Sequence, residues 1–434
     1  MRELTTWLKW MVKKYFIIIP FLFSASLYAQ DYREVTIEKA NELARENYQL
    51  IQQKNLLQQT ANITIDNLSK KFLPQFTLNG QASYQSDVTK IDLPITGFSI
   101  EGPAKDQYKI FGDASVLLFD GGMISAQKKS TQLKAGTEAQ KIEVGLYKLQ
   151  ETVNQIFTGI LFLEEQLKQV SLRQKDIQTG IDKMEARLKN GVAFRSNLSE
   201  LKAEYLQSDQ RKIELNAGKS SLIKTLELLM NVHFSDSVVF KTPVVTTNFE
   251  NGNERPEMKL FADQNVLLDQ QKSLIKAGNM PKASLFLQGG YGRPTFNFLK
   301  NDFDFFYIGG IRFTWPLNGL YTRKNDLELI EIDKKTNSIQ EATFLLNMQT
   351  QLTQEQSEIE KMTALIQSDE EIIQLRESVK EAAKVQLENG VITSGDYLRE
   401  VNAEDQARQA LITHQVQLLQ AKIYYQTLQG KKYE

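Results

Sequence analysis

The stretch Leu188-Lys189-Asn190-Gly191-Val192 returns about 200 residues later as Leu387-Glu388-Asn389-Gly390-Val391. Two more echoes keep the same order: Leu73-Pro74-Gln75 with Met280-Pro281-Lys282, and Phe119-Asp120-Gly121 with Leu317-Asn318-Gly319. A repeat on this scale fixes architecture before any single motif is weighed. Each half reads as a helical stretch, two alternating strands, a very long helix, a tight turn and a further helix. The first repeat is expected over 30–242 and the second over 243–434, with 232–257 a mixed connector beside the helices.

The helices are too long for a globular core. None of the nine prolines lies between Pro103 and Pro243 or after Pro316, and glycine is missing from 320–389. Proline and glycine are the main helix breakers. The segment 320–389 therefore predicts one helix of roughly 100 Å at 1.5 Å per residue. Its counterpart over 123–190 has about the same length but tolerates Gly136, Gly145, Gly159 and Gly180. Along it Ile142, Leu146, Leu149, Val153, Ile156 and Ile160 step by four and three. The series continues through Leu163, Leu167, Val170, Ile177, Ile181, Met184 and Leu188, with Gln174 as its polar interruption. Such a narrow seam predicts a left-handed coiled coil. Further helices are expected over 36–71, 197–231, 257–278 and 396–430. Gly191 and Gly390 suit the left-handed position past a helix end, with Val192 and Val391 placed to touch Ala186 and Val385. Ser196 or Asn197, and Thr393 or Asp396, are the expected caps of the helices that follow.

Alternation begins directly after Pro74. Phe76, Leu78, Ala82 and Tyr84 face one way, and Gln75, Thr77, Asn79 and Gln81 the other. Strands are predicted over 75–84, 107–118, 282–291 and 304–315. Runs of about ten residues with apolar-out, polar-in alternation and aromatic ends fit a transmembrane β-barrel. Four strands are too few to close one, and an open edge in lipid is prohibitively costly. Closure needs several copies: two would give eight strands filled by side chains, three would give twelve with room for a lumen. The loops at 85–106 and 292–303 would face away from the helices.

Composition narrows the chemistry. Residues 1–29 read as a secretory signal, with Lys13 and Lys14 before the apolar run Tyr15 to Phe23 and small residues up to Ala29. The chain has 52 Lys and Arg against 53 Asp and Glu; removing that signal takes four basic and one acidic residue, leaving a net charge of −4. This balance argues against nucleic acid as a partner. There is no cysteine, hence no disulfide or thiolate metal site. His233 and His414 stand about 180 residues apart without metal-ligand spacing. No phosphate-binding glycine pattern or serine nucleophile turn occurs. The sequence predicts no enzyme and no cofactor.

With Pro-initiated strand pairs, Asp/Asn-Gly corners and Gly-Val turns duplicated in this order, the chain resembles the TolC-like outer-membrane efflux protein family over its mature length. The resemblance implies a mainly helical fold with a small β part. Long antiparallel coiled-coil helices would form a periplasmic α-barrel. Four strands from each protomer of a homotrimer would form a twelve-stranded barrel in outer-membrane lipid of a Gram-negative bacterium. It also implies a passive exit duct of a tripartite efflux pump, joined to an inner-membrane pump by a periplasmic adaptor (membrane fusion protein). By position, adaptor docking falls to Gly191, Val192, Asn197 and Leu198, and to Gly390, Val391, Asp396 and Leu398. Strand-to-helix corners fall to Asp120, Gly121, Asn318 and Gly319, and helix-to-strand corners to Pro74 and Pro281. Asp369, Glu370, Glu371, Glu377 and Glu381 are candidates for an acidic entrance. Two alternatives stand beside this reading: a duct of type I protein secretion, and a periplasmic coiled-coil adaptor or stalk without a membrane barrel.

Overall fold

The computed structural model describes residues 33–89, 102–235, 237–246, 249, 253–297 and 300–431. The expected signal at 1–29 and the middle of the 85–106 loop lie outside them. Elements run β1 (Glu34–Val35), α1 (Ile37–Asn47), α2 (Leu50–Ser69), β2 (Gln75–Tyr84), β3 (Asp106–Phe119), α3 (Met123–Lys189) and α4 (Arg195–Met230). They continue with β4 (Val239–Phe240), α5 (Pro256–Gly278), β5 (Lys282–Arg293), β6 (Asp304–Thr314), α6 (Gly319–Glu388) and α7 (Ser394–Leu428). The order α2–β2–β3–α3–α4 is followed by α5–β5–β6–α6–α7. Among the described residues no helix is long and apolar enough to cross a membrane.

Helices α3 and α6 hold 67 and 70 residues, about 100 Å each. Along its length α3 packs against α2 and α4, and also against α5 and α7, which in turn pack against α6. Burial on α3 is accordingly broader than the single expected seam. Tyr147, Phe157, Thr158 and Leu161 are buried with Leu146, Val153 and Ile160, whereas Ile156, Leu163, Leu167 and Leu188 are only half-buried. One heptad stripe serves one neighbour, and α3 has neighbours on two sides.

The single helix expected over 36–71 is two. Tyr48 turns to an extended conformation with ψ 130°, and the Asn47 amide donates to the carbonyls of Leu43 and, at 2.8 Å, Met230. This ties the end of α1 to the end of α4. No glycine or proline marks the break; a long-range contact makes it. Beside it β1 pairs in parallel with β4, and Phe240 meets Phe157 edge-on at 5.6 Å in a core with Val35, Ile37, Leu226 and Met230. Arg255, bonded to Glu257 at 2.6 Å, lies 4.9 Å over the Tyr147 ring. The Tyr147 hydroxyl donates to the Thr427 carbonyl at 2.5 Å. The connector is thereby fastened to α3 and α7.

The strands form one antiparallel sheet in the order β2-β3-β5-β6. The β3–β5 pairing, with Ala114 opposite Leu287 and Ile110 opposite Tyr291, joins the two halves. The register puts Phe76, Leu78, Ile110, Leu285, Leu287, Tyr307 and Ile311 on one face. Thr77, Asn79, Lys109, Asp113, Gln288 and Arg312 share the other. The apolar face is uncovered: Phe76 is 77% exposed and Phe305 82%. Each large apolar side chain left in water forgoes about 1.5–3 kcal/mol of burial. Among the described residues both outer edges, β2 and β6, lack a partner strand within the protomer.

The corners hold sheet to helices. Buried Asp120 accepts from the backbone of Gly122 at 2.8 Å and of Ile124 at 2.5 Å, satisfying donors at the start of α3. Gly121 has φ +70°, and a Cβ there would collide with Met280. The second corner differs: Asn318 makes no side-chain cap, and Gly319 instead packs against the Asn279 side chain. The Trp315 indole donates to the Asn279 carbonyl at 3.0 Å. The segment before Pro281 thus sits between the two strand-to-helix corners. Its counterpart before Pro74 is open, with Leu73 57% exposed.

Replacing Asp120 with Ala is expected to cost about 1–3 kcal/mol by leaving buried N–H groups unpaired. Amide exchange at residues 122–124 should accelerate in Asp120→Ala and much less in Asp120→Asn. Equal protection in all three proteins would count against the cap.

Candidate functional site

At the end opposite the sheet each helical hairpin reverses. Asn190 ends α3, Gly191 takes φ +73°, its N–H reaches the Leu188 carbonyl and that of Val192 the Arg187 carbonyl, both at 3.0 Å. Gly390 repeats the motif with φ +74° and bonds to Leu387 at 3.1 Å and from Val391 to Gln386 at 2.9 Å. This pair of bonds satisfies the last helical carbonyls and needs a left-handed residue, which glycine adopts without a Cβ penalty.

Beyond the glycines the two turns diverge. Thr393 caps α7: its hydroxyl accepts from the Asp396 backbone at 3.2 Å, and the Asp396 carboxylate accepts from the Thr393 backbone at 3.1 Å. The reciprocal arrangement is a capping box, and hydrogen bonds from Thr393 hold the Asp396 carboxyl below its ordinary range. Neither Ser196 nor Asn197 caps the other helix. It starts two residues earlier than expected, at Arg195, behind Phe194 and without a side-chain cap.

The tips share one core. Ile177, Ile181, Met184, Leu201, Leu387, Tyr397, Leu398 and Val401 are buried together, with Leu198 and Ile392 partly buried against them. Leu398, 6% exposed, is therefore removed from any docking surface; it builds the tip from within. Asn197 is half-buried in the first turn of α4. What the tips present outward is Val192, Val391 and Phe194, exposed by 62, 72 and 77%. Phe194 escaped the sequence reading, although an aromatic residue between a helix stop and a helix start is a signal in itself.

Polar contacts cross between the hairpins. The Arg187 guanidinium donates to the Leu387 carbonyl, Lys183 pairs with Glu388, and the buried Ser394 hydroxyl donates to Glu200 at 2.7 Å. A Cβ on Gly390 would lie 2.6 Å from the Arg187 side chain, whereas one on Gly191 would meet nothing. Further along, Lys380 bonds Asp176 at 2.9 Å and Glu404 at 3.3 Å, and Arg173 bonds Glu204 and Asn402. Burial works against the Lys380 charge, but Asp176 and Glu404 outweigh it and raise its pKa. Burial pushes the Asp405 carboxyl up, against a hydrogen bond from Gln169 and the charge of Arg173.

The acidic entrance candidates are not equivalent. Asp369 is buried and contacts His414 at 2.5 Å; Glu377 pairs with Arg408 at 3.2 Å and Glu381 with Lys384 at 2.9 Å. Glu370 and Glu371 are exposed.

Residues 40–231 match the model of a family described as outer membrane efflux protein. No curated protein matches the chain. Among solved structures, the outer membrane protein VceC from Vibrio cholerae superposes with a TM-score of 0.66 at 14% identity, over 92% of this chain and 97% of that one. The CmeC outer membrane channel of Campylobacter jejuni gives 0.63 at 13%, over 92% and 87%. The MtrE outer membrane channel of Neisseria gonorrhoeae, in its open state, gives 0.63 at 13%, over 91% and 88%. At these identities the structural likeness is one of fold. Joined to the family match, it bears out the resemblance carried by the repeated turns and corners.

Two outcomes follow for the tip. Gly390→Val should loosen it more than Gly191→Val, because only the former adds a clash to roughly 1–3 kcal/mol of left-handed strain. Limited proteolysis at the turns of detergent-extracted protein reads the order, and the reverse order would contradict the Arg187 contact. The raised carboxyl of Asp405 binds a proton more readily folded than unfolded, so its stability contribution is lost as pH rises through its folded pKa. Asp405→Asn should therefore melt above wild type at alkaline pH, with the gap closing on acidification; a gap that widens on acidification would reverse the assignment.

Proposed function

We propose, on the match of residues 40–231 to the outer membrane efflux protein family and on the fold, that this chain is the outer-membrane exit duct of a tripartite efflux pump. Three copies close a twelve-stranded barrel in outer-membrane lipid and a helical tunnel below it, in the periplasm of a Gram-negative bacterium. The observation that carries this reading is the four-stranded sheet with an apolar face exposed to solvent and both edges unpaired. A soluble stalk has no use for such a face, and lipid satisfies it. Strand β6 runs opposite to β2, so a neighbour's β6 can extend the sheet at β2 with antiparallel pairing all round. The helical layer is open on the same two sides, where Leu206 and Ile213 of α4 and Ile339, Leu346 and Leu375 of α6 are exposed. The bare corner before Pro74 would receive the neighbour's Trp315 and Gly319.

The tip turns are the adaptor-docking ends. Val192, Phe194 and Val391 supply the apolar contacts there, Gly191 and Gly390 shape the turns, and Asp396 with Asn197 borders them. Leu198 and Leu398 support this surface from the core. The duct carries out no chemistry and needs no cofactor; an inner-membrane pump, reached through the adaptor, supplies the energy.

Because the chain lacks cysteine, engineered pairs test the ring directly. One cysteine on β2 (Thr77→Cys or Asn79→Cys) and one on β6 (Ile308→Cys or Gly310→Cys) should cross-link on oxidation into species of up to three chains. Protein that stays monomeric in detergent and gives no cross-link at any pair would refute the closed ring.

A further inference from the structure

Charge on the polar face of the sheet is uneven. In the β5–β6 register Lys282 stands opposite Thr314 and Ser284 opposite Arg312, so Lys282 and Arg312 share that face at the end next to the helices. Among the described residues the ion pairs of the strands are Arg293–Asp106 and Lys300–Asp304, both at the far end. The Arg312 guanidinium lies 4.6 Å over the Phe286 ring, a contact that holds it in place without neutralising it. Asp120, which follows the Phe119–Ala283 pair and so lies level with Lys282, has both carboxylate oxygens taken by backbone N–H groups of α3 and its first turn. The next carboxylate along this face is Asp113, opposite Gln288. Gln288 is four residues beyond Ser284, about 13 Å at 3.3 Å per residue, and the Debye length at physiological salt is about 8 Å. Of the two helices leaving this end, α3 adds no negative charge over residues 123–137, which hold Lys128, Lys129 and Lys134, and α6 opens with Arg323 and Lys324 before Asp326 and Glu328. On β2 the polar-face residues nearest this end are the neutral Gln75 and Thr77, with Gln75 level with Gly310.

We propose that Lys282 and Arg312 form a positive collar where barrel meets tunnel, two charges from each copy, which concentrates anions and sets the ion preference of that stretch of the pore. The inference rests on the duct reading, in which the polar face is the lumen. A ring of like charges in a low-dielectric wall focuses its field into the bore, where the potential reaches several kT. Small carboxylate- or phosphate-bearing solutes are drawn in, and cationic ones meet a barrier.

The test uses the full-length protein in planar bilayers of zwitterionic lipid under a KCl gradient, with the reversal potential as readout. Wild type is compared with Lys282→Gln/Arg312→Gln and Lys282→Glu/Arg312→Glu. The chloride-to-potassium permeability ratio should fall stepwise, by roughly threefold or more for the Glu pair, and the differences should shrink near 1 M salt, where the Debye length is about 3 Å. The Gln pair, which retains polar side chains, decides the matter if the Glu pair does not insert. Channels whose ratio is unchanged in the Gln pair at low salt would overturn the collar while leaving the duct intact. Wild-type protein that forms no channels would instead overturn the duct reading and the collar with it.

Discussion

The two unpaired edges of the four-stranded sheet govern the rest of the molecule. Each edge presents a row of backbone N–H and C=O groups, and in hydrocarbon every one left alone costs several kcal/mol. A sheet with one apolar face can enter lipid only if those rows find partners, and among the described residues no other strand supplies them. The helical layer repeats the condition. It keeps the order of the strands it continues, with α2 beside β2 and α6 beside β6, so both layers are open on the same two flanks. An interface joining unlike flanks is heterologous and closes into a ring only when the rotation per copy divides the circle. The twist of the sheet and the crossing of the long helices have to agree on that rotation, which explains why the corners between them are so tightly built. Asp120, Gly121, Asn279 and Gly319 permit almost no play at the junction.

Away from the sheet the nature of the contacts changes. Near the connector α3 is buried on two sides by apolar residues such as Val153, Phe157 and Ile160. Toward the tips the hairpins meet increasingly through Lys380, Asp176, Arg173, Glu204 and Glu404. A buried ion pair returns little net stability, because desolvation offsets most of the attraction. What it does impose is register, since a slip of one turn would strand a charge. The long helices are thus bound by burial in the middle and again at the tip core of Met184, Leu387 and Tyr397, and aligned by charge between the two.

Much of this could be read from the chain. The mainly helical class with a small antiparallel sheet follows from missing prolines, missing glycines and period-two alternation, all of them local signals. Pro74 and Pro281 stand immediately before strands, and Gly191 and Gly390 carry the positive φ that a helix reversal demands. What stayed hidden depends on residues distant in sequence. The break at Tyr48 comes from an Asn47–Met230 hydrogen bond, and the second buried side of α3 from its packing against α5 and α7. Leu398 falls to adaptor docking in the sequence because its position beside the turn is visible there, whereas the core it shares with Met184 and Tyr397 is not.

The two halves have also stopped being copies where it matters. One corner has a carboxylate cap and the other does not; one tip has the Thr393–Asp396 box, the other Phe194 in the same place. In the proposed ring of three chains the six tips would therefore alternate between two kinds of surface. The first kind offers an exposed aromatic residue on an uncapped helix start, which is apolar and locally adaptable. The second offers Val391 beside a carboxylate fixed by its own backbone, which is stiffer and charged. A partner with two-fold internal similarity can engage both kinds, whereas one bearing a single binding motif is confined to three of the six. On the duct reading, the divergence of the two halves would convert a pore of near six-fold symmetry into one with three-fold addresses.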